Sequence, residues 1–520
     1  MNTSKKTIMW VDDEIDLLKP QLLFLESKGY EVIGLTNGRD AIDYLETNKA
    51  IDIVLLDESM AGLSGLETLD ILKTKRPQLP MVMVTKNEEE DLMEDAIGAQ
   101  ISDYLIKPVK SQQLLSSIKK LTEDKTLIRE RTTTNYQQAF QKMFTKIQEL
   151  EDCKGWIDFY KELVWWELEL DKSASVDVHE IFQMQKREAN RAFTKFIERN
   201  YVRLLNDENE VIFSHQVLEK WFLPTCHKAN HTLLLVIDNL RYDQWKVLQK
   251  FLTDQYTIQD ESLYFSILPT ATQYARNALF SGLLPNDIIK HYPSLWIDEL
   301  AEGSKNKHEE QHFKSFIERK STRIDKVDFF KVANYEMGKS LEARALNVLN
   351  HDVTAIVYNF VDMLSHAKTD MEVIKELASD DRSYRSLTES WFKNSPLRQA
   401  LIALAQKDIE VILTTDHGTK RVKTASKCSG EQSITSNTRY KAGRKLTYQS
   451  KDVFRIKDPS SIGLPSPSLG AEYIFAKDEN FFVYPNNFAH FANHFSDSFQ
   501  HGGVSLEEMI VPWIHLKPKG

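Results

Sequence analysis

The chain has 520 residues, 42% apolar and 27% charged, with 66 Lys and Arg against 76 Asp and Glu and a net charge of −10. At about 150 residues per domain, this length predicts roughly three domains. The composition fits neither a wholly disordered chain nor a membrane protein, and the acidic balance argues against a chain built mainly to coat nucleic acid. Apolar runs such as Leu233–Ile237 fall far short of the roughly 20 residues that span a bilayer. The opening MNTSKKTIMWVDDE lacks a signal-peptide apolar stretch, so a cytoplasmic protein without membrane insertion is expected. Cys153, Cys226 and Cys428 are odd in number and far apart, with no CxxC. Reduced structural thiols are therefore expected, and any metal should be held by His and carboxylate.

From Lys6 to Lys107 five strand candidates, TIMWV, YEVIGL, DIVLL, MVMV and DYLI, alternate with helix-length stretches. That pattern predicts an open parallel α/β sheet, whose ligands bind beyond the carboxyl ends of the strands. Asp12 and Asp13 follow the first strand, Asp57 the third, Thr85 ends the fourth, and Lys107 follows the fifth. Three converging carboxylates need a cation among them, and hard oxygen ligands suit Mg²⁺. Lys107 and the Thr85 hydroxyl are then placed for phosphoryl oxygens. Over residues 1 to 122 this arrangement resembles the flavodoxin-like receiver domain of two-component response regulators. The resemblance implies that Asp57 accepts a phosphoryl group from a sensor histidine kinase and that Asp12, Asp13, Asp57 and the Ser59 carbonyl hold Mg²⁺. It also implies that Thr85 and Tyr104 switch conformation, that Lys107 pairs with the acyl phosphate, and that phosphorylation drives a homodimer. Ala61 departs from the Pro usual after Met60 and affects loop stiffness rather than chemistry.

The 115 residues from Val109 to Leu223 contain no Pro and a single Gly, Gly155, which predicts three or four helices over residues 123 to 227. Apolar residues recur at helical spacing in Phe140, Met143, Phe144, Ile147 and Leu150, and Phe159, Trp165 and Trp166 are expected in the core. As the covalent link between the flanking domains, this block is the expected carrier of any signal between them.

From residue 228 to the end, three strand-like runs finish on acidic residues: TLLLVI before Asp238, VTAIVYNFV before Asp362 and EVILTT before Asp416. Asp362 and His366 are four apart, on one helical face; His417 follows Asp416, and His501 opens HGG. Oxygen and imidazole ligands without cysteine are those of hydrolytic Zn²⁺ centres. Three Asp and three His exceed one tetrahedral catalytic site, so two metals are the simpler solution, suited to in-line displacement at phosphorus. In LPTATQYARNALFSG a helix is expected to begin near Thr272, whose hydroxyl would face the positive end of the helix dipole. Thr270 is its rival as nucleophile and His494 the rival of His501, whereas His308, His312 and His490 read as structural. Arg241 and Arg276 stay open between phosphate binding and helix-face charge.

The order Asp, P-T-x-T, Asp-x-x-x-His, Asp-His-Gly, His-Gly resembles the alkaline phosphatase superfamily, specifically its PglZ branch, whose ending HGGVSLEEMIVP matches closely. The three parts together resemble the PorX-like response regulators associated with type IX secretion. This resemblance implies one Zn²⁺ on Asp238, Thr272, Asp416 and His417, a second on Asp362, His366 and His501, and Thr272 as nucleophile. It further implies phosphodiesterase action on nucleotides or short oligonucleotides. The alternative is a phosphorylation-dependent scaffold with structural zinc that binds a sigma factor or a secretion-system component. Residues 420 to 457 carry 11 Lys and Arg against two acids, a net +9, which reads either as a solvated loop or as a cationic rim for a polyanionic substrate.

Overall fold

The computed structural model describes residues 5–47, 51–77, 79–86, 101–173, 176–207, 210–299, 301–431 and 435–519, with the backbone alone at 123–131, 342–344, 346 and 372 and at Ser173 and Val176. The chain divides into two compact units, residues 1–137 with 173–175, and residues 138–172 with 176–520.

In the first unit, strands Glu31–Leu35, Thr7–Val11, Ile53–Leu56, Met81–Thr85 and Asp103–Ile106 lie side by side in that order, all parallel. This is the doubly wound 2-1-3-4-5 order. Thr7–Val11, Ile53–Leu56 and Met81–Thr85 are buried along their whole length, as strands covered on both faces must be. The following helix Gly65–Lys75 starts with a capping box in which Ser64 and Glu67 satisfy each other's backbone N–H groups. Gly65 is required there because a Cβ would lie 2.4 Å from the Asp57 carbonyl oxygen. The capped helix is thereby pressed against the loop that carries Asp57.

The second unit holds a six-stranded sheet in the order Tyr256–Phe265, Ile510–Pro518, Glu410–Thr414, Thr232–Ile237, Val353–Tyr358, Val327–Val332. The last four strands run parallel; at one side Ile510–Pro518 runs antiparallel to them and Tyr256–Phe265 antiparallel to Ile510–Pro518. Leu234, Val236, Ala355, Val357 and Ile412 pack against Leu279, Phe280, Phe313, Phe316 and Ile317. The helix Thr272–Ser281 is thus fixed on the sheet by its apolar side. The run VTAIVYNFV is strand only to Tyr358; the helix Phe360–Asp370 then begins, so Asp362 sits in a first helical turn rather than at a strand end.

Helices Ser111–Glu149, Cys153–Ser173 and Val176–Asn206 form the Gly- and Pro-poor segment. Trp156 meets Phe193 at 5.3 Å between ring centroids, and Phe193 meets Phe265 of the sheet at 5.9 Å. Phe159, Trp166, Met143 and Ile147 are buried, but Trp165 and Phe144 are exposed. At about 100° per residue Trp165 falls opposite the arc that buries Phe159, Tyr160, Leu163, Val164 and Trp166, and so points outward.

Buried ion pairs bind Cys153–Ser173 and Val176–Asn206 to the α/β body. Arg385, 3% exposed, reaches Glu167 at 2.9 Å, Asp171 at 2.6 Å and Asp243 at 2.7 Å. Arg241 holds Asp243 at 2.9 and 2.5 Å and Asp381 at 2.6 Å. Burial pushes the Asp243 carboxyl up, but Arg241 and Arg385 outweigh it and hold the group at about 2. Glu507 is likewise pushed up by burial and pulled down to about 2 by Lys420 and Lys186. A carboxylate with a lower pKa folded than unfolded stabilises the fold above the ordinary carboxylate range and loses that contribution as pH falls towards its folded value. Urea unfolding followed from about pH 5 to about pH 3 should therefore show a smaller loss of stability in Asp243→Asn and Glu507→Gln than in wild type. The expected difference is roughly 1–2 kcal/mol for each, and equal pH slopes would contradict the assignment.

Candidate phosphoacceptor site and metal centre

At the carboxyl edge of the first sheet, Asp12, Asp13 and Asp57 bring ligand oxygens within 4.8 Å of one another. Lys107 Nζ lies 2.7 Å from Asp12 and 3.1 Å from Asp57. Burial pushes the Asp57 carboxyl up; Lys107 opposes this and the Asp12 and Asp13 charges add to it. Asp57 Oδ1 is buried with no hydrogen-bond partner, which fits an oxygen set still short of a cation. Thr85 is buried at the end of its strand, its carbonyl accepting the Lys107 N–H at 2.7 Å. Tyr104 is half-buried against the apolar cluster under the sheet, and Ser59 is exposed in the loop after Asp57.

In the second unit two further clusters lie together. Asp238, Asp416 and His417 form one, all buried, and Asp362, His366 and His501 the other, each with ligand atoms within 4.8 Å. The His417 and His501 rings stack at 4.3 Å between centroids and link the clusters. His417 Nδ1 lies 3.0 Å from the Gly418 carbonyl oxygen and His501 Nδ1 lies 3.3 Å from that of Thr270. A carbonyl only accepts, so both Nδ1 atoms carry the proton and both Nε2 lone pairs are left for a ligand, the usual arrangement behind a metal-binding histidine. Burial pushes the His501 ring down to about 3, with His417 and His366 adding to the effect against Asp362 and Asp416. The ring is neutral at physiological pH, as ligation requires.

Thr272 is the first residue of its helix, and its Oγ lies 3.0 Å from His417 Nε2. Thr270 instead donates to the Gly503 carbonyl oxygen at 2.8 Å and accepts the Gly502 N–H at 3.1 Å, so its hydroxyl is committed to holding the HGG loop. His494 faces Asp370 at 3.8 Å, outside both clusters. His312 is buried, its ring pushed down to about 4 by burial.

The carboxylates carry opposing loads. Asp238 is raised well above the ordinary carboxylate range by burial, with Arg276 opposing and Asp416 and Asp362 adding. In Asp416 burial is outweighed by Arg276 and His417, and in Asp362 by His366 and His501, so both are lowered. Arg276, one turn beyond Thr272, pairs with Asp238 and lies 3.0 Å from Asp416 and 3.2 Å from Glu309. Its charge is spent on these buried carboxylates. Arg241 is equally committed to Asp243 and Asp381. Even with Arg276 in place, Asp238 Oδ1 remains buried without a hydrogen-bond partner, and together with Asp416 and a His417 Nε2 lone pair that meets only the Thr272 hydroxyl the donor set fits a divalent cation.

Sequence reasoning missed Asn239, which ties the two clusters together. It sits in the left-handed region at φ 67°, its N–H is 3.4 Å from Asp416 Oδ1, and its Nδ2 is 3.4 Å from Asp362 Oδ1. An Asn directly after a strand-end Asp was the available signal, because Asn tolerates that backbone conformation. Glu309 was missed for want of any local signal: it braces Arg276 from 33 residues away and is itself held by Lys331 at 3.1 and 3.2 Å.

A cleft of about 650 Å³ opens in front of His366 and His501, lined also by Gln273, Lys305, Thr438 and Gln500. The basic stretch lines it through Thr435, Ser436, Asn437, Thr438 and Tyr440 and not through its cations. Seven of the eleven cations, Lys420, Arg421, Lys423, Arg439, Arg444, Lys445 and Arg455, are paired with carboxylates, and Lys441 is buried against the Thr435 carbonyl oxygen. Most partners, such as Glu507, Glu508 and Asp497, lie beyond residue 457, which is why a local charge count misread the segment. The three cysteines are buried, and burial pushes the thiols up to about 12, 12 and 11, so none offers a thiolate.

Comparison with known proteins finds three family models along the chain: response regulator receiver domain at residues 8–119, PorX response regulator linker domain at 126–205, and BREX system PglZ alkaline phosphatase-like domain at 217–516. Among curated proteins, the chain is 33% identical over 114 residues to the transcriptional regulatory protein ZraR of Klebsiella oxytoca, covering 22% of this chain and 26% of that protein. It is 35% identical over 115 residues to the response regulator RppA of Synechocystis sp., covering 22% and 49%. The chain thus spans about a quarter to a half of the length of these relatives. A CheY-like receiver domain protein from Methanospirillum hungatei is a similar solved structure, at 28% identity and a TM-score of 0.23, covering 23% of this chain and 96% of that one. Among the described residues, no helix is long and apolar enough to cross a membrane. With more than half of its length matched by one family model, the chain belongs to the PglZ alkaline phosphatase-like family, joined here to a response-regulator receiver and a PorX-type linker.

Proposed function

We propose that the chain is a cytoplasmic response regulator whose phosphorylation at Asp57 by a sensor histidine kinase controls a two-zinc phosphodiesterase in its C-terminal domain. The observation that carries this reading is the Thr272 hydroxyl, 3.0 Å from His417 Nε2 of one of two neighbouring clusters of metal-type ligands. Asp238, Thr272, Asp416 and His417 would hold one Zn²⁺, and Asp362, His366 and His501 the other; Asp12, Asp13, Asp57 and the Ser59 carbonyl would hold Mg²⁺ in the receiver. The zincs, when bound, supply Lewis acidity that stabilises charge developing at phosphorus.

This chain's own residues do the rest. Thr272 Oγ gives up its proton and attacks phosphorus as the bond to the leaving alcohol breaks and that alcohol takes up a proton; the covalent threonyl phosphodiester that forms still carries the second alcohol, and water cleaves it to a phosphomonoester and free Thr272. The helix Thr272–Ser281 directs its positive end at the developing charge. His417 and His501 are fixed in the ligating tautomer by backbone carbonyls, Arg276 and Asn239 hold the carboxylates, and the cleft before His366 admits the substrate. Nucleotides or short oligonucleotides are the substrates we favour, and control of type IX secretion the setting, by similarity to the PorX-type architecture. A scaffold that binds a sigma factor or secretion component would have no use for a hydroxyl placed in this way.

Thr272→Ala should lower hydrolysis of bis-p-nitrophenyl phosphate and of a dinucleotide by about 10³-fold or more, with most of the zinc retained. Wild type without turnover, whether or not the receiver is phosphorylated, would favour the scaffold. Chelation should abolish turnover and added Zn²⁺ restore it, with Mg²⁺ alone ineffective. Beryllofluoride with Mg²⁺ should convert monomer to dimer in sedimentation velocity, and Asp57→Asn should remain monomeric under the same conditions.

A further inference from the structure

The helical segment reaches the turn Leu506–Met509, which packs on the Asp416-His417-Gly418 loop, at two points one helical turn apart. Lys186 and Asn190 lie on Val176–Asn206 at i, i+4 and therefore on one face. Asn190 Oδ1 accepts the Leu506 N–H at 2.9 Å, and Lys186 Nζ lies 3.3 Å from Glu507 Oε1. Adjacent residues of the turn Leu506–Met509 are thus gripped by the same helix face. Lys186 is 5% exposed; Glu167 on Cys153–Ser173 meets it at 3.1 and 3.0 Å, and Lys420 meets Glu507 at 2.9 Å. The result is a continuous chain of buried charges, Glu167 to Lys186 to Glu507 to Lys420.

That turn is in backbone contact with the loop that carries two of the candidate ligands. The Gly418 N–H donates to the Glu508 carbonyl oxygen at 3.1 Å, and a Cβ at Gly418 would lie 1.9 Å from the Glu507 carbonyl oxygen. Ser266 spans the same two segments: its N–H donates to the Met509 carbonyl oxygen and its hydroxyl to that of Asp416, both at 2.7 Å. Lys420 extends from the Asp416-His417-Gly418 loop itself. A displacement of Leu506–Met509 therefore carries His417 with it, and with His417 the partner of the Thr272 hydroxyl. Close packing transmits such shifts because there is no void to absorb them.

We propose that Lys186, supported by Glu167 and Asn190, is a positioning residue for the metal centre, holding the turn Leu506–Met509 and through it the Asp416-His417-Gly418 loop. The helical segment then sets the geometry in which Thr272 meets His417, rather than merely joining two domains. None of the three side chains touches reacting atoms. The inference rests on reading the centre as a metal-dependent hydrolase. A buried ammonium shared by two carboxylates suits this task, since its partners are left uncompensated if it is lost and fixed in place while it remains.

The test uses the full-length protein with Lys186→Met, Lys186→Arg and Asn190→Ala. Hydrogen exchange should accelerate by about tenfold in peptides covering the 416–420 loop and the 506–509 turn, with the strand Val353–Tyr358 unchanged. On bis-p-nitrophenyl phosphate, Lys186→Met should lose about tenfold in kcat with KM within about twofold, and Lys186→Arg should recover most of it. The absorption spectrum of the cobalt-substituted protein should shift in Lys186→Met and return in Lys186→Arg. Exchange that rises uniformly across the domain, or kcat and cobalt spectrum equal to wild type, would overturn the proposal. If Lys186→Met fails to fold, Asn190→Ala, which removes no charge, decides by the same readouts. A wild type that neither binds cobalt nor turns over the diester defeats the hydrolase reading instead, and hydrogen exchange then still decides whether the helix holds the loop.

Discussion

Carboxylates that crowd at the ends of buried strands cannot coexist without positive charge, and both units of this chain are organised around that constraint. In the receiver the charge comes from Lys107, poised between Asp12 and Asp57. In the C-terminal domain it comes from Arg276, lodged among Asp238, Asp416 and Glu309. In each case one oxygen, of Asp57 or Asp238, remains buried and without a hydrogen bond. A protein that neutralises most but not all of a buried negative cluster has made a place for a cation and set its sign in advance. The two sites are solved by the same device on unrelated sheets, because parallel strands deliver the residues after their carboxyl ends to a common edge.

The sequence made those edges legible. A strand buried on both faces is a short continuous apolar run, and the residue after it needs no further calculation, which is how Asp57, Asp238 and Asp416 could be picked out without any structure. Asp362 was found for a different reason from the one that places it: its strand ends at Tyr358 and the next helix has already begun. The i, i+4 spacing to His366 was the informative part of that motif.

What could not be read was partnership at a distance. Glu309 braces Arg276, Glu167 braces Lys186, and Asn190 reaches Leu506 across 316 positions; nothing local marks any of them. The basic stretch shows the same blindness from the other side, since its cations are counted in one segment and neutralised by another. Trp165 failed on angle: it was expected in the core beside Trp166, while the roughly 100° step of the helix turns it outward.

Arg385 carries a consequence for modularity. Its guanidinium is shared by Asp243 of the α/β body and by Glu167 and Asp171 of the helical segment. A cut placed where the family model begins, at residue 217, would leave the body with a buried cation stripped of two of its three carboxylates. The piece of this protein that evolution or an engineer can transplant intact is therefore larger than its phosphatase-like domain. It begins inside the linker, and any exchange of that domain between regulators has to take the helices along.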